Sequence, residues 1–300
     1  MLNKRIVPLS MQQDETGTSE NDATEIPRTT LPMQRHAANE RGEPIPYLLP
    51  IDEWESHRQS FEHFLFHHVL AGHYAAPLHN PRLILDAGCG PGRWVLDMAQ
   101  EFPKASVIGV DIAPPPASSS TSNALFVRAN VLDSLPFNRA IFDFVHMRLM
   151  SMAIPIDKWQ RVLGEMRYLT QPGGWIELLE LGLPEFNNDI WNWVDALGRQ
   201  YGIDIFPGPR LARWMHKAGL VNVQHREIML TDHADGKTAQ LLIQDCLSMA
   251  ELLRPEILSK SITTAMKYDQ ALASMRHRMM LPRREEVLPV YVAIAQTPAE

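Results

Sequence analysis

Asp86, Gly88, Gly90 and Gly92 stand at alternate positions, and a second acid, Asp111, comes 19 residues after the last of these glycines. Glycines at that spacing free the backbone to take positive φ and to approach a ligand closely, and a helix that follows offers its first-turn amides to whatever is bound. A carboxylate some 20 residues further on is placed to accept from both hydroxyls of one ribose, and it would repel a 2′-phosphate. Turn and acid together describe a site for a nucleotide-like cofactor. A dinucleotide fingerprint would put its third glycine at position 93, which is Arg93, and a Walker loop needs a Gly-Lys-Ser/Thr that does not follow.

The elements that must position these groups are legible on both sides. Leu83-Ile84-Leu85 is a short apolar run of the kind that forms a strand covered on both faces, and Arg93 to Phe102 reads as a helix with Trp94, Val95, Met98 and Ala99 inward. Further strands are expected at Val107 to Asp111, Leu125 to Val127, Ile141 to Val145 and Trp175 to Glu180, with an amphipathic helix from Ile156 to Leu169. Regular alternation of strand and helix predicts an α/β fold with a largely parallel sheet and helices on both faces. Upstream, Asp52 with Glu55 three later predicts a capping-box start for a helix to about Tyr74, with Trp54, Phe61, Phe64, Leu65 and Val69 at helical spacing. His63 and His67 on that helix stand four apart, but no Glu lies between them in an H-E-x-x-H pattern, and no metal site is expected. After Leu181 the pattern changes. Residues 185 to 218 read as two helices, Leu220 to Leu230 as a strand, Thr238 to Met280 as helical with an interruption at Pro255, and Val287 to Ala295 as a last strand whose Pro289 belongs at an edge or a strand start.

Composition bounds the rest. A chain of 300 residues with 45% hydrophobic and 21% charged residues suits a globular protein, and a formal charge of −7 argues against an extended nucleic-acid surface. Residues 1 to about 44 are polar and aperiodic, and read as a disordered tail ahead of a domain from 45 to 300. Two distant cysteines, Cys89 and Cys246, make neither a disulfide framework nor a metal cluster, and fit a reducing cytoplasm. No signal peptide and no run of about 18 apolar residues is present, so neither secretion nor a membrane span is expected.

The stretches Tyr47-Leu48-Leu49-Pro50, Leu85-Asp86-Ala87-Gly88-Cys89-Gly90-Pro91-Gly92, Val110-Asp111, Phe142-Asp143-Phe144-Val145-His146-Met147-Arg148 and Pro172-Gly173-Gly174-Trp175-Ile176-Glu177 resemble class I S-adenosylmethionine-dependent methyltransferases. Within them they are similar to the subgroup that includes fungal regulators of secondary metabolism and bacterial relatives. The resemblance implies a Rossmann-like sheet of seven strands, S-adenosylmethionine as cofactor, and helical insertions at about 185–218 and 232–281 serving as a lid over the substrate. It also implies roles. Gly88, Cys89, Gly90 and Gly92 lie against the methionine part of the cofactor, Asp86 helps hold its amino group, and Tyr47 covers its carboxylate end. Asp111, with Ile112 beside it, meets the ribose, and Asn130, with Val131 beside it, meets the adenine amine. Most relatives have Asp where Asn130 stands, but its side-chain carbonyl can also accept.

The end of the fourth strand is expected beside the cofactor's methyl group. His146, with an unperturbed pKa of about 6.5, then ranks first as general base and Glu180 second, with Arg148 binding an anionic group of the substrate; a structural hydrogen-bonding role for His146 stands beside that reading. The expected reaction is methyl transfer to O, N or C of a small molecule, a secondary metabolite, leaving S-adenosylhomocysteine. The alternative is a cofactor-binding regulatory protein with little or no turnover. An NAD-dependent oxidoreductase is opposed by Arg93, and a DNA amino-methyltransferase by Val145-His146-Met147-Arg148 where an N/D-P-P-Y/F/W stretch would be needed.

Overall fold

The apolar run before the glycine turn is strand β1 (Leu83–Ala87), fully covered from its second residue on. It belongs to a seven-stranded sheet of order β3-β2-β1-β4-β5-β7-β6. The other strands are β2 (Ser106–Asp111), β3 (Ala124–Arg128), β4 (Phe142–Arg148), β5 (Thr170–Leu181), β6 (Val221–Thr231) and β7 (Val287–Gln296). Strands β1 to β5 run parallel, and β7 lies antiparallel between β5 and β6. Chain order reverses between β1 and β4, which opens a crevice beyond the carboxyl ends of those two strands, the place where open α/β sheets bind ligands. The computed structural model describes residues 47–184, 189–231, 236–279 and 287–299; all lie in one compact unit, Met33–Glu300. The tail expected at 1–44 falls outside them.

Helices cover both faces, as expected. Helices α1 (Glu53–Leu70), α2 (Arg93–Glu101), α4 (Asp189–Gln200), α6 (Gly236–Ser259) and α7 (Ala265–Met279) pack into one core with Ile84, Phe144, Leu179 and Val292 from the sheet. Helices α3 (Trp159–Leu169) and α5 (Leu211–Lys217) pack on the opposite face with Leu85, Val145, Ile176 and Leu178. There Trp159 and Trp214 meet with ring centroids 4.9 Å apart. The cap is therefore smaller than the sequence predicts: Leu211 and Met215 are drawn into the lower core against α3, so α5 is a supporting helix of the sheet. The stretches 185–188, 232–235 and 280–281 of the two insertions fall outside the described residues.

Three local expectations change. Helix α6 runs through Pro255, and the break comes later, at Ser261, which sits at φ 55° between α6 and α7. Pro289 lies in an interior strand, but near its start, outside the part of β7 that pairs with β5. Helix α1 begins as expected, with Glu55 N–H donating to Asp52 Oδ1 at 2.9 Å. It ends at Leu70, on a left-handed Ala71, and the Glu55 carboxylate turns away from the helix start. Moreover, α1 follows its hydrophobic pattern only in part: Leu65 is buried and Val69 packs on the core, as expected. Trp54, Phe61 and Phe64 are exposed, whereas Glu55, Arg58, Glu62 and His63 are buried. Buried charges on one helix face persist only if they pair or line a polar cavity, and here they do both.

Candidate active site

A single cavity of about 520 Å³ opens above the β1/β4 crevice, walled below by the glycine turn and above by α1, α4 and α6. Its floor is built from the strand ends. Gly88, Gly90 and Gly92 sit at φ 84°, 49° and 77°, a region closed to most side chains. A Cβ at Gly88 would come within 2.3 Å of the Met150 sulfur, and one at Gly92 within 2.5 Å of the Phe126 ring. Gly88 and Cys89 donate their amides to Val110 O, which ties the turn to β2. Asp111, at the end of β2, accepts from Gly90 N–H and Ala113 N–H, both at 2.9 Å. Burial raises the Asp111 pKa, and these amides oppose the rise. The Cys89 thiol packs against Gly109, where a Cβ would approach it to 2.8 Å, and burial pushes its pKa up.

Of the residues that the sequence assigns to the cofactor, Tyr47, Asp86, Gly88, Cys89, Gly90, Asp111, Ile112, Asn130 and Val131 border this cavity, whereas Gly92 lies behind its lining, at the start of α2. Asn130 spends one lone pair of its carbonyl on Leu132 N–H at 3.0 Å. Tyr47 donates to Glu55 Oε1 and accepts from Gln59, both at 3.1 Å, so its ring is fixed at the cavity's edge by α1.

The three expected catalytic residues divide. His146 does not reach the cavity. Alternation along β4 turns Phe144, His146 and Arg148 toward α1 and α2, and His146, paired in register with Asp86, lies behind the wall. It is 1% exposed, its Nδ1 donates to Asp86 Oδ1 at 2.8 Å, and its ring stacks on Trp94 with centroids 4.0 Å apart. The placement as a base beside the methyl group is therefore corrected: His146 orients Asp86. Glu180 does not reach the cavity either. It points to the α3/α5 face of β5, accepts from Met150 N–H at 2.7 Å, and burial lifts its pKa to about 8. It braces the Leu149–Ser151 segment that forms part of the wall. Only Arg148 borders the cavity. Its Nη2 donates to His63 Nδ1 at 2.9 Å, which fixes the guanidinium at the cavity's inner corner.

That contact also bears on the histidines of α1. Donor atoms of His63, His73 and Asp97 lie within 4.8 Å of one another, with His67 stacked on His73. An arginine can only donate, so His63 Nδ1 must be the acceptor, and the proton sits on Nε2, which donates to Asp97 at 2.8 Å. A metal at Nε2 would need the lone pair that this proton occupies. Burial and the Arg148 charge lower the His63 pKa to about 4, which keeps the ring neutral.

The roof holds groups that sequence reasoning missed. Arg58 Nε and Nη2 clamp Glu55 at 2.8 Å each, while Nη1 reaches Glu62 at 2.7 Å and Asp245 of α6 at 2.8 Å. Glu55, Arg58 and Glu62 fall at i, i+3 and i+7, a single helical stripe. That spacing was the available signal, and charge disguised it as a solvated face. Beside these groups stand Trp191, Ile205, Phe206, Met249 and Leu288.

Residues 56–225 match the methyltransferase-domain family, more than half of the chain. The chain belongs to that family. It is 33% identical to N-methyltransferase tcpN of Claviceps purpurea over 224 residues, which cover 67% of this chain and 79% of that protein. It is also 33% identical to the secondary metabolism regulator laeA of Aspergillus fumigatus over 198 residues, 61% of this chain and 52% of the regulator. Among solved structures, phosphoethanolamine N-methyltransferase 2 of Haemonchus contortus superposes with a TM-score of 0.50 at 13% identity, over 85% of this chain and 62% of that one. At that identity the likeness shows the Rossmann-like fold. The chain is thus a class I methyltransferase, and its methyl donor is S-adenosylmethionine. The residues present fit that group: a turn cleared of side chains at three positions, and two carboxylates facing one cavity.

Proposed function

We propose that this methyltransferase acts on a small molecule, a secondary metabolite, held between the glycine turn and the cap. The observation that carries the reading is the continuity of one cavity from the carboxyl ends of β1, β2 and β4 to the aromatic and Met side chains of α4 and α6. S-adenosylmethionine, when bound, supplies a methyl group activated by its sulfonium. The chain supplies orientation and exclusion of water. Asp111 takes the ribose hydroxyls, Asn130 the adenine edge, and Asp86, held by His146, the amino group. Arg148, fixed by His63, keeps the cavity's inner corner dry and positive.

Calorimetric titration with S-adenosylmethionine and S-adenosylhomocysteine tests donor binding, and a metabolite panel scored for S-adenosylhomocysteine tests turnover. Micromolar binding with product formation supports the reading. Binding with no product from any metabolite would favour a regulatory role, and absence of binding would overturn both. Two buried free cysteines suit a reducing compartment such as the cytoplasm. Among the described residues no helix is long and apolar enough to cross a membrane.

A further inference from the structure

We infer that the acceptor is an amine, bound as its ammonium ion between Glu62 and Asp245, with an aromatic or aliphatic body lying against Trp191, Phe206 and Met249. The inference rests on the methyltransferase reading and deepens it. Three carboxylates converge on one guanidinium. Glu55 is satisfied: both its oxygens receive Arg58, and Oε1 also receives Tyr47 and Gln59. Glu62 and Asp245 are not. They share the single nitrogen Nη1 of Arg58 through one oxygen each, and among the described residues their second oxygens have no hydrogen-bond partner. Both residues are more than nine-tenths buried, 7% and 5% exposed, and both border the cavity.

Arg58 commits four of its five N–H donors here, two to Glu55 and one each to Glu62 and Asp245. The other guanidinium facing this corner, Arg148, feels the Glu62 charge but is bonded to His63 and also lies in the fields of Asp86, Asp97 and Glu177, that of Asp86 being the largest. A buried carboxylate without a full complement of donors costs several kcal/mol. A ligand ammonium would bring up to three N–H donors and the missing positive charge to that spot. A hydroxyl brings one donor and no charge, and a carboxylate would be repelled. Burial raises the Asp245 pKa to about 7, so this carboxyl can ionise as the cation enters. It can then take back one proton: an ammonium N–H bond breaks, the proton joins an Asp245 oxygen, and the nitrogen keeps the electron pair it needs as a nucleophile.

Calorimetry on the full chain saturated with S-adenosylhomocysteine tests this with three matched pairs: benzylamine and benzyl alcohol, phenethylamine and phenethyl alcohol, tryptamine and tryptophol. The amine of at least one pair should bind tenfold or more tightly than its alcohol. In the double variant Glu62→Gln with Asp245→Asn that ratio should fall to within about twofold, while S-adenosylhomocysteine affinity stays as in the parent. If no amine outbinds its alcohol in the parent protein, the inference is overturned, and this comparison needs no variant. It is overturned equally if the preference survives in the double variant or in Asp245→Asn alone. Loss of S-adenosylhomocysteine binding by the parent protein would instead strike the methyltransferase reading.

Discussion

Floor and roof of the cavity face each other but are made differently. At the floor, the groups from Asp86 to Asp111 lie close together in the chain, and much of what they present is backbone: amides of a turn held at positive φ and tied to Val110. At the roof, everything presented is side chain, and the central contact joins Arg58 to Asp245 across 187 residues. A floor of that kind suits a ligand that does not change. A roof of that kind can be altered one side chain at a time without disturbing the floor, which lets one fold serve many acceptors.

The contrast can be broken hardest at Arg58. Arg58→Met strands three buried carboxylates, and denaturant unfolding should show a loss of about 3–5 kcal/mol; adding Glu62→Gln and Asp245→Asn should recover part of it. At the floor, Asp111→Ala removes a ligand-facing carboxylate and the anchor of Gly90, and S-adenosylhomocysteine affinity should fall by about 100-fold, some 3 kcal/mol. His146→Ala leaves Asp86 buried without its donor. Affinity for S-adenosylhomocysteine should drop by about tenfold, while the pH midpoint of turnover stays where it was, because the ring holds Asp86 and takes no proton from substrate. A moved midpoint would return His146 to the role of base.

A smaller effect separates bracing from chemistry at Glu180. Its folded pKa of about 8 lies above the unfolded value of about 4.3, so between these the folded state binds a proton that the unfolded state lacks. Stability then falls as pH rises through that window, by at most about 1.4 kcal/mol per pH unit. Glu180→Gln should remove this slope, so that the variant gains on the parent from pH 5 to pH 8 in urea titrations. The smallest effect belongs to the outer face of α1: Phe61→Glu should change stability by less than about 0.5 kcal/mol, because the residue is exposed.

The same division decided what the sequence disclosed. The β1 turn, the acid ending β2 and the succession of strands along the chain were legible because each is a local pattern: an apolar run, glycines at fixed spacing, a carboxylate at a strand end. His146 and Glu180 were placed correctly on their strands but expected beside the methyl group, where neither points, since a strand end fixes a residue's height and only packing fixes which face it uses. In α1, the stripe of Trp54, Phe61, Phe64, Leu65 and Val69 was half right: Leu65 and Val69 meet the core, the three aromatics are exposed, and Glu55, Arg58 and Glu62, which looked like solvent's share, are buried. Nothing near Asp245 hinted that it would meet Arg58. A buried ion cluster assembled from distant segments has no local signature, because each member is stable only in the presence of the others.

The link from Arg58 to Asp245 also sets an order of events at the ribosome. Helix α1 emerges before any strand of the sheet, yet its buried face is acidic and basic and stays hydrated until α6 has been made, 187 residues later. At ordinary elongation rates that delay is roughly 10–40 s. Through it the parallel strands and the glycine turn can assemble in sequence while the first helix waits as an uncommitted amphipath. The chamber for the acceptor cannot be completed before α6 has been made.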